Sequence, residues 1–289
     1  MDVGKHIEQL LRHAIGELTV SPCPSKLAAA LDYAIFPGGA RVRPKLVMAV
    51  AHACADTPNP LAERAAVAIE LLHCASLAQD DLACFDNAET RRSKPSLHRA
   101  YDERLAILAS DALIVGAFEQ ISALRDARAE SQLALVRMLS HQVGGIHGIT
   151  AGQAWESEQN IDTSAYHRAK TGALFAASTQ AGALATGADE EAWAITGHYV
   201  GSAYQIADDI HDVLGDADSL GKPVNVDATH GRPNAVHELG VDEAVANLKH
   251  LIEQVVDSVP SCRNADVFIE TIRHEARRFL PKELALSAA

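Results

Sequence analysis

The densest group of side chains that can do chemistry lies in residues 79–98, with the sequence QDDLACFDNAETRRSKPSLH. Three aspartates are followed here by two adjacent arginines: Asp80, Asp81, Asp86, Arg91 and Arg92. Mg²⁺ prefers one or two protein carboxylates together with substrate phosphate oxygens, and arginine binds phosphate through paired hydrogen bonds. The segment therefore indicates a site for metal and diphosphate, with a solvated charged loop as the alternative.

The spacing of these aspartates also predicts something about the backbone. Asp80 and Asp86 are six positions apart, which corresponds to about 240° around a regular helix. An unbroken helix would point the two carboxylates in different directions, so they could not bind one metal cluster. We therefore predict that the helix ends or unwinds between Leu82 and Asp86.

A second acidic cluster lies in residues 201–223, GSAYQIADDIHDVLGDADSLGKP. On a helix its polar side chains form one stripe, made of Gln205, Asp208, Asp209, Asp212 and Asp216. Like charges at i and i+4 destabilise a helix unless a cation or solvent screens them, which argues against an ordinary amphipathic surface helix. Two such clusters predict a pocket in which several Mg²⁺ ions hold a diphosphate, with Lys222 as a nearby cation.

The segment FPGGARVRPKL, residues 36–46, is a candidate anion site. A Pro-Gly-Gly turn leads into an apolar helix whose first residues include Arg41, Arg43 and Lys45. Backbone amides at a helix N-terminus attract anions, and guanidinium groups add positive charge. Arginines are also common at exposed helix starts, so this segment gains weight only beside the acidic clusters.

The helix that leads into the first cluster carries one polar stripe on an otherwise aliphatic surface. His73, Ser76 and Asp80 share this stripe. A core histidine bonded to the backbone is the alternative for His73. Glu70 and His73 also form one Glu-x-x-His pair, but a di-iron bundle needs two and the sequence contains no second.

Lys170 and Thr171 interrupt a predicted helix of small residues, HRAKTGALFAAS at 167–178. A lysine on a helix usually extends into water. These two residues contribute to the site only if their side of the helix points into the same pocket.

Composition limits the kind of protein that can hold such a site. The 289 residues are 48% hydrophobic and no linker rich in Pro, Gly and Ser divides them, so we expect one domain over 1–289. The formal net charge of −13 argues against nucleic-acid binding. This charge also repels an anionic substrate, so metal ions with Arg or Lys must make the site locally attractive.

The cysteines and the N-terminal segment indicate the compartment. The five cysteines form no Cys-x-x-Cys pair and are typical of reduced thiols. The first residues, MDVGKHIEQLLRH, lack an apolar signal core, and no run of eighteen uncharged apolar residues occurs. We therefore expect a soluble cytoplasmic protein without a membrane span.

Helical patterns rich in Ala and Leu follow one another along the chain, without the alternation of Val, Ile and Thr that predicts strands. Pro and Gly fall between these patterns, as breakers do. The predicted helices cover residues 3–19, 24–35, 41–55, 60–82, 99–124, 130–151, 163–186, 190–217, 241–258 and 263–279. The predicted fold class is all-α, a helix bundle around a central cavity.

Together these segments resemble the trans-isoprenyl (polyprenyl) diphosphate synthases, most of all the bacterial geranylgeranyl and farnesyl diphosphate synthases. The resemblance runs from about residue 25 to LPKEL at 280–284. DDLACFD followed by RRSKPS matches the family's first aspartate-rich motif in its long-spaced form, and DDIHD matches the second. Further matches are KTG at 170–172, GQAWE at 152–156 and LGKP at 220–223. The fold implied is the single-domain orthogonal helix bundle of isoprenoid synthases.

The resemblance implies a Mg²⁺-dependent condensation of isopentenyl diphosphate with dimethylallyl, geranyl or farnesyl diphosphate, in a homodimer. Three Mg²⁺ would be held on the allylic diphosphate by two sets of aspartates: Asp80, Asp86 and Asp208, supported by Asp81, Asp209 and Asp212. The same diphosphate would be bound by Arg91, Lys170, Thr171, Gln205 and Lys222. Isopentenyl diphosphate would be bound by Arg43, His73 and Arg92.

One departure from the family pattern concerns the isopentenyl diphosphate site. The motif GGKRxRP reads GGARVRP here, with Ala40 where a lysine usually contacts that substrate. This change bears on affinity more than on activity. Lys45 is a candidate for the missing cation.

Two other functions share parts of the pattern. A class I terpene cyclase has the helical fold and the first metal motif, but it normally carries an Asn/Ser/Glu-type second motif; DDIHD, Arg43 and His73 count against it. A non-catalytic subunit of a heteromeric synthase is expected to lose metal ligands, whereas this chain keeps both sets.

Product length is expected to depend on the helix that leads into Asp80. One helical turn rises about 5.4 Å, close to the length of one isoprene unit. Each added unit is therefore expected to extend the growing tail past one more turn of this helix. Ser76 and Ala75 are small at positions where farnesyl-producing relatives carry an aromatic. Ser76 lies on the pocket stripe, Ala75 is assigned by resemblance, and Leu72 is the next bulky residue. We predict geranylgeranyl diphosphate (C20) as the product, with farnesyl diphosphate (C15) as the alternative.

Overall fold

The structure is a computed structural model that describes residues 2–36, 38–160, 162–214 and 234–279. Regular structure in these ranges is almost entirely helical, which confirms the all-α prediction. The helices are α1 (Val3–Leu18), α2 (Ser25–Ile35), α3 (Val42–Cys54), α4 (Pro60–Asp80), α5 (Leu97–Ala100), α6 (Glu103–Ser122), α7 (Ala129–Val143), α8 (Ile149–Trp155), α9 (Thr163–His167), α10 (Ala173–Thr186), α11 (Glu190–Leu214), α12 (Ala235–Leu239), α13 (Val241–Asp257) and α14 (Ala265–Phe279). A π-helical turn, Arg168–Gly172, joins α9 to α10. An antiparallel hairpin pairs β1 (Thr90–Arg91) with β2 (Lys94–Pro95).

The ends of the long helices follow from local sequence signals. The side chain of Asn59 caps α4 by accepting from the amides of Leu61 at 2.9 Å and Ala62 at 3.1 Å, and Pro60 occupies the first helical position. α10 ends at Gly187, whose φ of 78° places it in the left-handed region that favours glycine. These signals explain why most predicted boundaries agree with the structure.

The differences from the predicted helices also have local causes. The predicted helix over 130–151 is two helices, since α7 ends before Gly144 and Gly145 and α8 begins at Ile149. Glycine is a poor helix former, so a glycine pair separates two helical segments. The hairpin, α5 and α12 were not predicted because each is too short to show a periodic pattern.

The core is built around α4, which packs against α3, α6 and α10. Thirteen of its residues are buried, and many of these are alanines, which allow neighbouring helices to approach closely. α10 contacts both α4 and α11, and these two helices carry the aspartate clusters. Both helices that carry the clusters therefore pack on α10.

The helix α6 bears on the expected absence of a membrane span. Within the described ranges it is the one helix that is long and apolar enough to cross a membrane, judged by length and composition. Core helices pass the same test; α6 packs along α4, and 44% of its most apolar window is buried. The absence of a membrane span stays a prediction.

Candidate active site

The polar stripe that the helical wheel predicts is present on α4. His73, Ser76 and Asp80 are partly exposed, whereas the intervening Cys74 and Ala78 are buried in the core. One side of this largely buried helix therefore faces an accessible space, and it carries the residues predicted to face the pocket.

The backbone breaks after Asp80, as the spacing of the aspartates requires. The helix ends earlier than predicted, at Asp80, with Asp81 as its C-cap. The chain then turns back, because the amide of Asp86 donates to the carbonyl oxygen of Asp80 at 3.0 Å and that of Ala88 to Asp81 at 3.1 Å. The turn thus places Asp86 beside the end of the helix that carries Asp80.

Arg91 is paired with the aspartates at this helix end. Its Nη2 lies 2.6 Å from Asp81 Oδ1 and 3.8 Å from Asp80 Oδ2. The Asp81 side chain is only 3% exposed. Burial raises the pKa of Asp81, and the hydrogen bond from Arg91 opposes that increase. Asp81 is therefore held by an arginine that the resemblance assigns to the diphosphate.

Two further side chains converge on Asp80 from the middle of the chain. Gln153 on α8 donates from Nε2 to Asp80 Oδ1 at 2.8 Å, and Lys170 Nζ lies 3.5 Å from the same oxygen. Asp80 thus belongs to a polar cluster built from three separate elements. The contact between Lys170 and Asp80 shows that the lysine side chain points towards the first aspartate cluster, as a role in the site requires.

The π-helical turn explains how Lys170 and Thr171 reach this position. Lys170 Nζ also bonds to Glu156, which accepts from the hydroxyl of Tyr166 at 2.7 Å. α8 packs directly on the turn, since a Cβ added at Gly152 would overlap the backbone of Lys170. π-helical turns are rare, and many of those that occur are at functional sites. The periodicity of apolar residues does not predict them.

The second aspartate cluster is connected to Thr171. The Thr171 hydroxyl donates to Gln205 Oε1 at 2.7 Å, and Gln205 Nε2 donates to Asp209 Oδ1 at 2.8 Å. Asp209 Oδ2 accepts from the amide of Ala235 at the start of α12, at 2.9 Å. Asp209 is 2% exposed, so its carboxylate orients Gln205 and fixes α12 from inside the fold.

The remaining members of this cluster differ in exposure. Asp208 is partly exposed, and Asp212, four residues later on the same side of α11, is buried. Burial lowers the pKa of Arg43, and the negative charge of Asp208 is one of several that oppose this shift. Asp216 and Lys222 lie outside the described residues.

Arg43 and His73 form the centre of a second cationic region. Arg43 Nη1 lies 3.3 Å from His73 Nε2, and the guanidinium stands 4.5 Å over the ring of Phe175. Burial, reinforced by Arg43 and Arg92, holds the pKa of His73 well below its usual range. Because arginine only donates, His73 Nε2 is the acceptor and the proton of the neutral ring is on Nδ1.

Arg92 joins this region through the hairpin. Arg92 and Ser93 form its turn, and both have positive φ, 54° and 61°. The Arg92 guanidinium lies against Gly39, where an added Cβ would be 2.8 Å from Nη2. The structure thus brings together the three residues that the resemblance assigns to isopentenyl diphosphate.

Lys45 does not complete this region. It is two residues after Arg43, which is about 200° around the helix. Its Cε lies 3.9 Å from the Cβ position of Gly4 on α1. The candidate assignment of Lys45 is therefore wrong, because the helix points its side chain towards α1. Ala40 is exposed, and its methyl side chain supplies no positive charge in place of the lysine ammonium.

A cavity of about 740 Å³ lies on the Lys45 side of α3. Its lining comes from α1, α3, the segment after α3, α4, α10, α11, α13 and α14. It includes Phe175 of α10 and Tyr204 of α11, whose ring centroids are 4.9 Å apart. Within the described part of the chain, its lining includes none of the predicted metal-binding aspartates. This cavity is therefore distinct from the aspartate site.

The residues assigned to product length differ in their surroundings. Ser76 is on the partly exposed stripe, whereas Ala75 and Leu72 are 1% and 3% exposed. The carbonyl oxygen of Ala75 accepts from the hydroxyl of Ser110 on α6 at 3.1 Å. The backbone of Ala75 thus lies at the contact between α4 and α6, and its side chain is buried.

The donor set suits Mg²⁺ that is shared with a substrate. Among the described residues, no three His, Cys, Asp or Glu side chains converge into a site that could hold a metal alone. Asp80 at the end of α4, Asp86 in the turn after it and Asp208 on α11 nevertheless offer hard carboxylate oxygens. Mg²⁺ needs only one or two of these when diphosphate oxygens complete its shell. The residues fit the ion.

Several site residues were given no role by sequence reasoning. Gln153 and Glu156 fall in the matched segment GQAWE, so that match was the available signal. Tyr166 and Phe175 carry no such signal, because an aromatic residue on an apolar helix is typical of any core. Their roles follow only from the contacts with Glu156 and Arg43 described above.

Comparison with known proteins agrees with this site. The geranylgeranyl diphosphate synthase of Cereibacter sphaeroides is 50% identical over 285 residues, 99% of either chain. That of Rhodobacter capsulatus is 47% identical over 262 residues, 91% of either chain. A Helicobacter pylori geranyltransferase, solved with magnesium and isoprenyl diphosphate, superposes with a TM-score of 0.79 at 28% identity, covering 95% of this chain and 97% of its own.

The family model named "Polyprenyl synthetase" matches residues 24–267. This range contains both aspartate clusters, the Arg43 segment and the π-helical turn. With the relatives above, the match shows that the chain belongs to the polyprenyl synthetase family.

Proposed function

We propose that the protein is a geranylgeranyl diphosphate synthase, which joins isopentenyl diphosphate to an allylic diphosphate and releases inorganic diphosphate. Its family makes it a trans-prenyltransferase, and the two most identical relatives named above carry this specific name. The observation that supports the proposal most directly is the pair of adjoining regions on α4. Asp80 with Lys170 lies at the helix end, and His73 with Arg43 lies two turns earlier.

The first region suits the departing diphosphate. Bound there, Mg²⁺ supplies positive charge that stabilises the diphosphate as its bond to the allylic carbon breaks. Lys170 and Arg91 donate charge-assisted hydrogen bonds to the same group. The bond electrons leave with the diphosphate, and an allylic cation forms beside the accessible side of α4.

The second region holds isopentenyl diphosphate so that its double bond faces the cation. Arg43 and Arg92 bind its diphosphate, and the neutral His73 offers an N–H without adding a charge that repels the cation. The double bond attacks the allylic carbon, and the released diphosphate accepts the proton that is then lost. No nucleophilic side chain takes part.

We also propose that three Mg²⁺ ions act in this site, held by Asp80, Asp86 and Asp208 with help from Asp81 and Asp212. Asp209 acts through Gln205, because both its carboxylate oxygens accept hydrogen bonds from within the fold. Lys222 is proposed as a further cation for the allylic diphosphate.

The decisive experiment is incubation of the purified protein with Mg²⁺, isopentenyl diphosphate and one of dimethylallyl, geranyl or farnesyl diphosphate. Chromatography of the products should show C20 as the longest major species. A main product of C15 would replace the proposal with a farnesyl diphosphate synthase. A cyclic hydrocarbon, or no product, would contradict prenyl transfer.

A homodimer in the cytoplasm, each protomer one domain over 1–289, completes the proposal. Large apolar side chains are exposed along α6, where Ile107 and Leu108 are 47% exposed and Val115 is 66% exposed. Contiguous exposed apolar residues on a helix mark an interaction surface. A second copy packing on α6 would cover them.

Light scattering tests the dimer. Val115→Glu should shift the protein towards monomer, because it places a charge in the apolar interface. Ile195→Glu is the matched control, since Ile195 is 55% exposed but lies on α11. A variant Val115→Glu with unchanged mass would exclude α6 from the dimer interface.

A further inference from the structure

The side chain of Arg41 joins three elements of the fold. Its Nε donates to Glu8 Oε1 on α1 at 2.7 Å, and its Nη1 donates to Glu70 Oε1 on α4 at 2.6 Å. Its Nη2 donates to the carbonyl oxygen of Ile35 at 2.8 Å. Arg41 is 4% exposed, so this network lies inside the protein.

The backbone of Arg41 is in a conformation that needs support. Its φ of 51° and ψ of 40° lie in the left-handed region, which is unfavourable for residues other than glycine. Such conformations persist where the surrounding structure determines them. The preceding turn is wrapped closely around this network, since a Cβ added at Gly38 would be 2.5 Å from Arg41 Nη2 and 2.6 Å from Glu8 Oε1.

This network is connected to the isopentenyl diphosphate region at two points, one at the start of α3 and one on α4. Arg43 is two residues after Arg41, and Glu70 is three residues before His73 on α4. The ion pair between Arg41 and Glu70 therefore fixes the segment carrying Arg43 against the helix carrying His73. Gly38, which packs on the Arg41 side chain, precedes Gly39, against which the Arg92 guanidinium lies.

We infer that Arg41, Glu70 and Glu8 form a positioning network that sets the geometry of the isopentenyl diphosphate site without touching the substrate. The inference rests on the proposed function and adds α1 to the substrate-binding apparatus. A buried ion pair is weak support for stability by itself, because desolvation offsets much of the attraction. Fixed geometry is the contribution that remains.

Glu8 is the residue to test, because its side chain is 34% exposed and its loss leaves the core intact. For Glu8→Gln, we expect KM for isopentenyl diphosphate to rise about three- to tenfold, the size of one network coupling. The kcat and the KM for the allylic diphosphate should stay within about twofold of wild type, since the first region is not touched.

Glu17→Gln is the matched control. Glu17 lies on the same helix and pairs with Arg64 of α4 at 2.8 Å, so it ties α1 to α4 without contacting Arg41. It should change neither KM. Arg41→Lys keeps the charge but loses the forked geometry, so it should raise the KM for isopentenyl diphosphate at least as much as Glu8→Gln.

Amide hydrogen exchange provides a readout that does not need turnover. Glu8→Gln should speed exchange in residues 38–43, and Glu17→Gln should not. Equal effects of the two variants on KM, or unchanged exchange in 38–43, would overturn the network. A wild-type protein that makes no prenyl product would instead contradict the proposed function, and the exchange comparison would still decide the positioning role.

Discussion

Arg91 binds Asp81 through Nε at 3.0 Å and Nη2 at 2.6 Å, and both bonds end on the same carboxylate oxygen. Asp81 caps the end of α4, so this ion pair attaches the hairpin to the helix that carries Asp80. The resemblance assigns Arg91 to the allylic diphosphate. Arg91 is therefore expected to have two roles, one in holding Asp81 and one in binding the substrate.

The first prediction separates these two roles. Arg91→Ala should lower the free energy of unfolding by about 1–3 kcal/mol, because it leaves a buried carboxylate without its strongest donor. Adding Asp81→Asn should restore part of that loss, since the amide carries no charge. Chemical denaturation measures both, and activity should stay low in the double variant. Full recovery of activity would show that Arg91 has no contact with substrate.

The second prediction concerns the metal site. Asp80→Ala and Asp208→Ala should each reduce kcat by about 100-fold or more, the usual effect of removing a group that stabilises charge in the transition state. Asp257→Ala, at an exposed position at the end of α13, is the control. Mg²⁺ with inorganic diphosphate should raise the Tm of wild type but not of the two site variants, because only a bound ligand stabilises the fold. Near-normal turnover would remove the residue from the metal site.

The sequence predicted the long helices because their apolar periodicity and breakers agree with the tertiary structure. It also predicted the break after α4, since two carboxylates six residues apart cannot share a metal on a regular helix. The π-helical turn at Lys170 was beyond prediction, because it depends on the close packing of Gly152 from another helix. The role of Arg41 was equally hidden, since its partners Glu8 and Glu70 are set by tertiary contacts.

The third prediction uses the departure at Ala40. Ala40→Lys should lower KM for isopentenyl diphosphate, because it adds an ammonium group next to Gly39, against which the Arg92 guanidinium lies. One charge-assisted hydrogen bond contributes about 1.5–3 kcal/mol before solvent screening, so the change approaches tenfold. Ala123→Lys, on an exposed position after α6, adds the same charge elsewhere and should have no effect. An unchanged KM would mean that the site already has its full set of cations.

The fourth prediction follows from the pKa of His73. Burial beside Arg43 keeps the ring neutral in the folded protein, whereas an unfolded histidine binds a proton below about pH 6.5. The unfolded state therefore binds more protons in acid, so stability falls as pH decreases below that value. His73 should account for a loss of about 1 kcal/mol between pH 6.5 and 5.5.

His73→Gln should remove this share of the pH dependence, because glutamine does not titrate. The control is His13→Gln, since the His13 side chain is 69% exposed on α1. Denaturant titrations at the two pH values measure the difference. An identical pH dependence in His73→Gln and wild type would show that His73 is protonated in the folded protein.

The last prediction concerns product length. Ser76 faces the accessible side of α4 one turn before Asp80, so Ser76→Phe should block the growing tail and shorten the main product from C20 to C15. Ala75→Tyr should shorten it too, but with a loss of about 1–3 kcal/mol in stability, because Ala75 is packed against α6. Leu72→Ala should lengthen the product by opening the next turn. Ser140→Phe, at an exposed position of α7, should leave the product unchanged. A C20 product from Ser76→Phe would place the tail along another helix, and α6 would be the first to test because it packs along the length of α4.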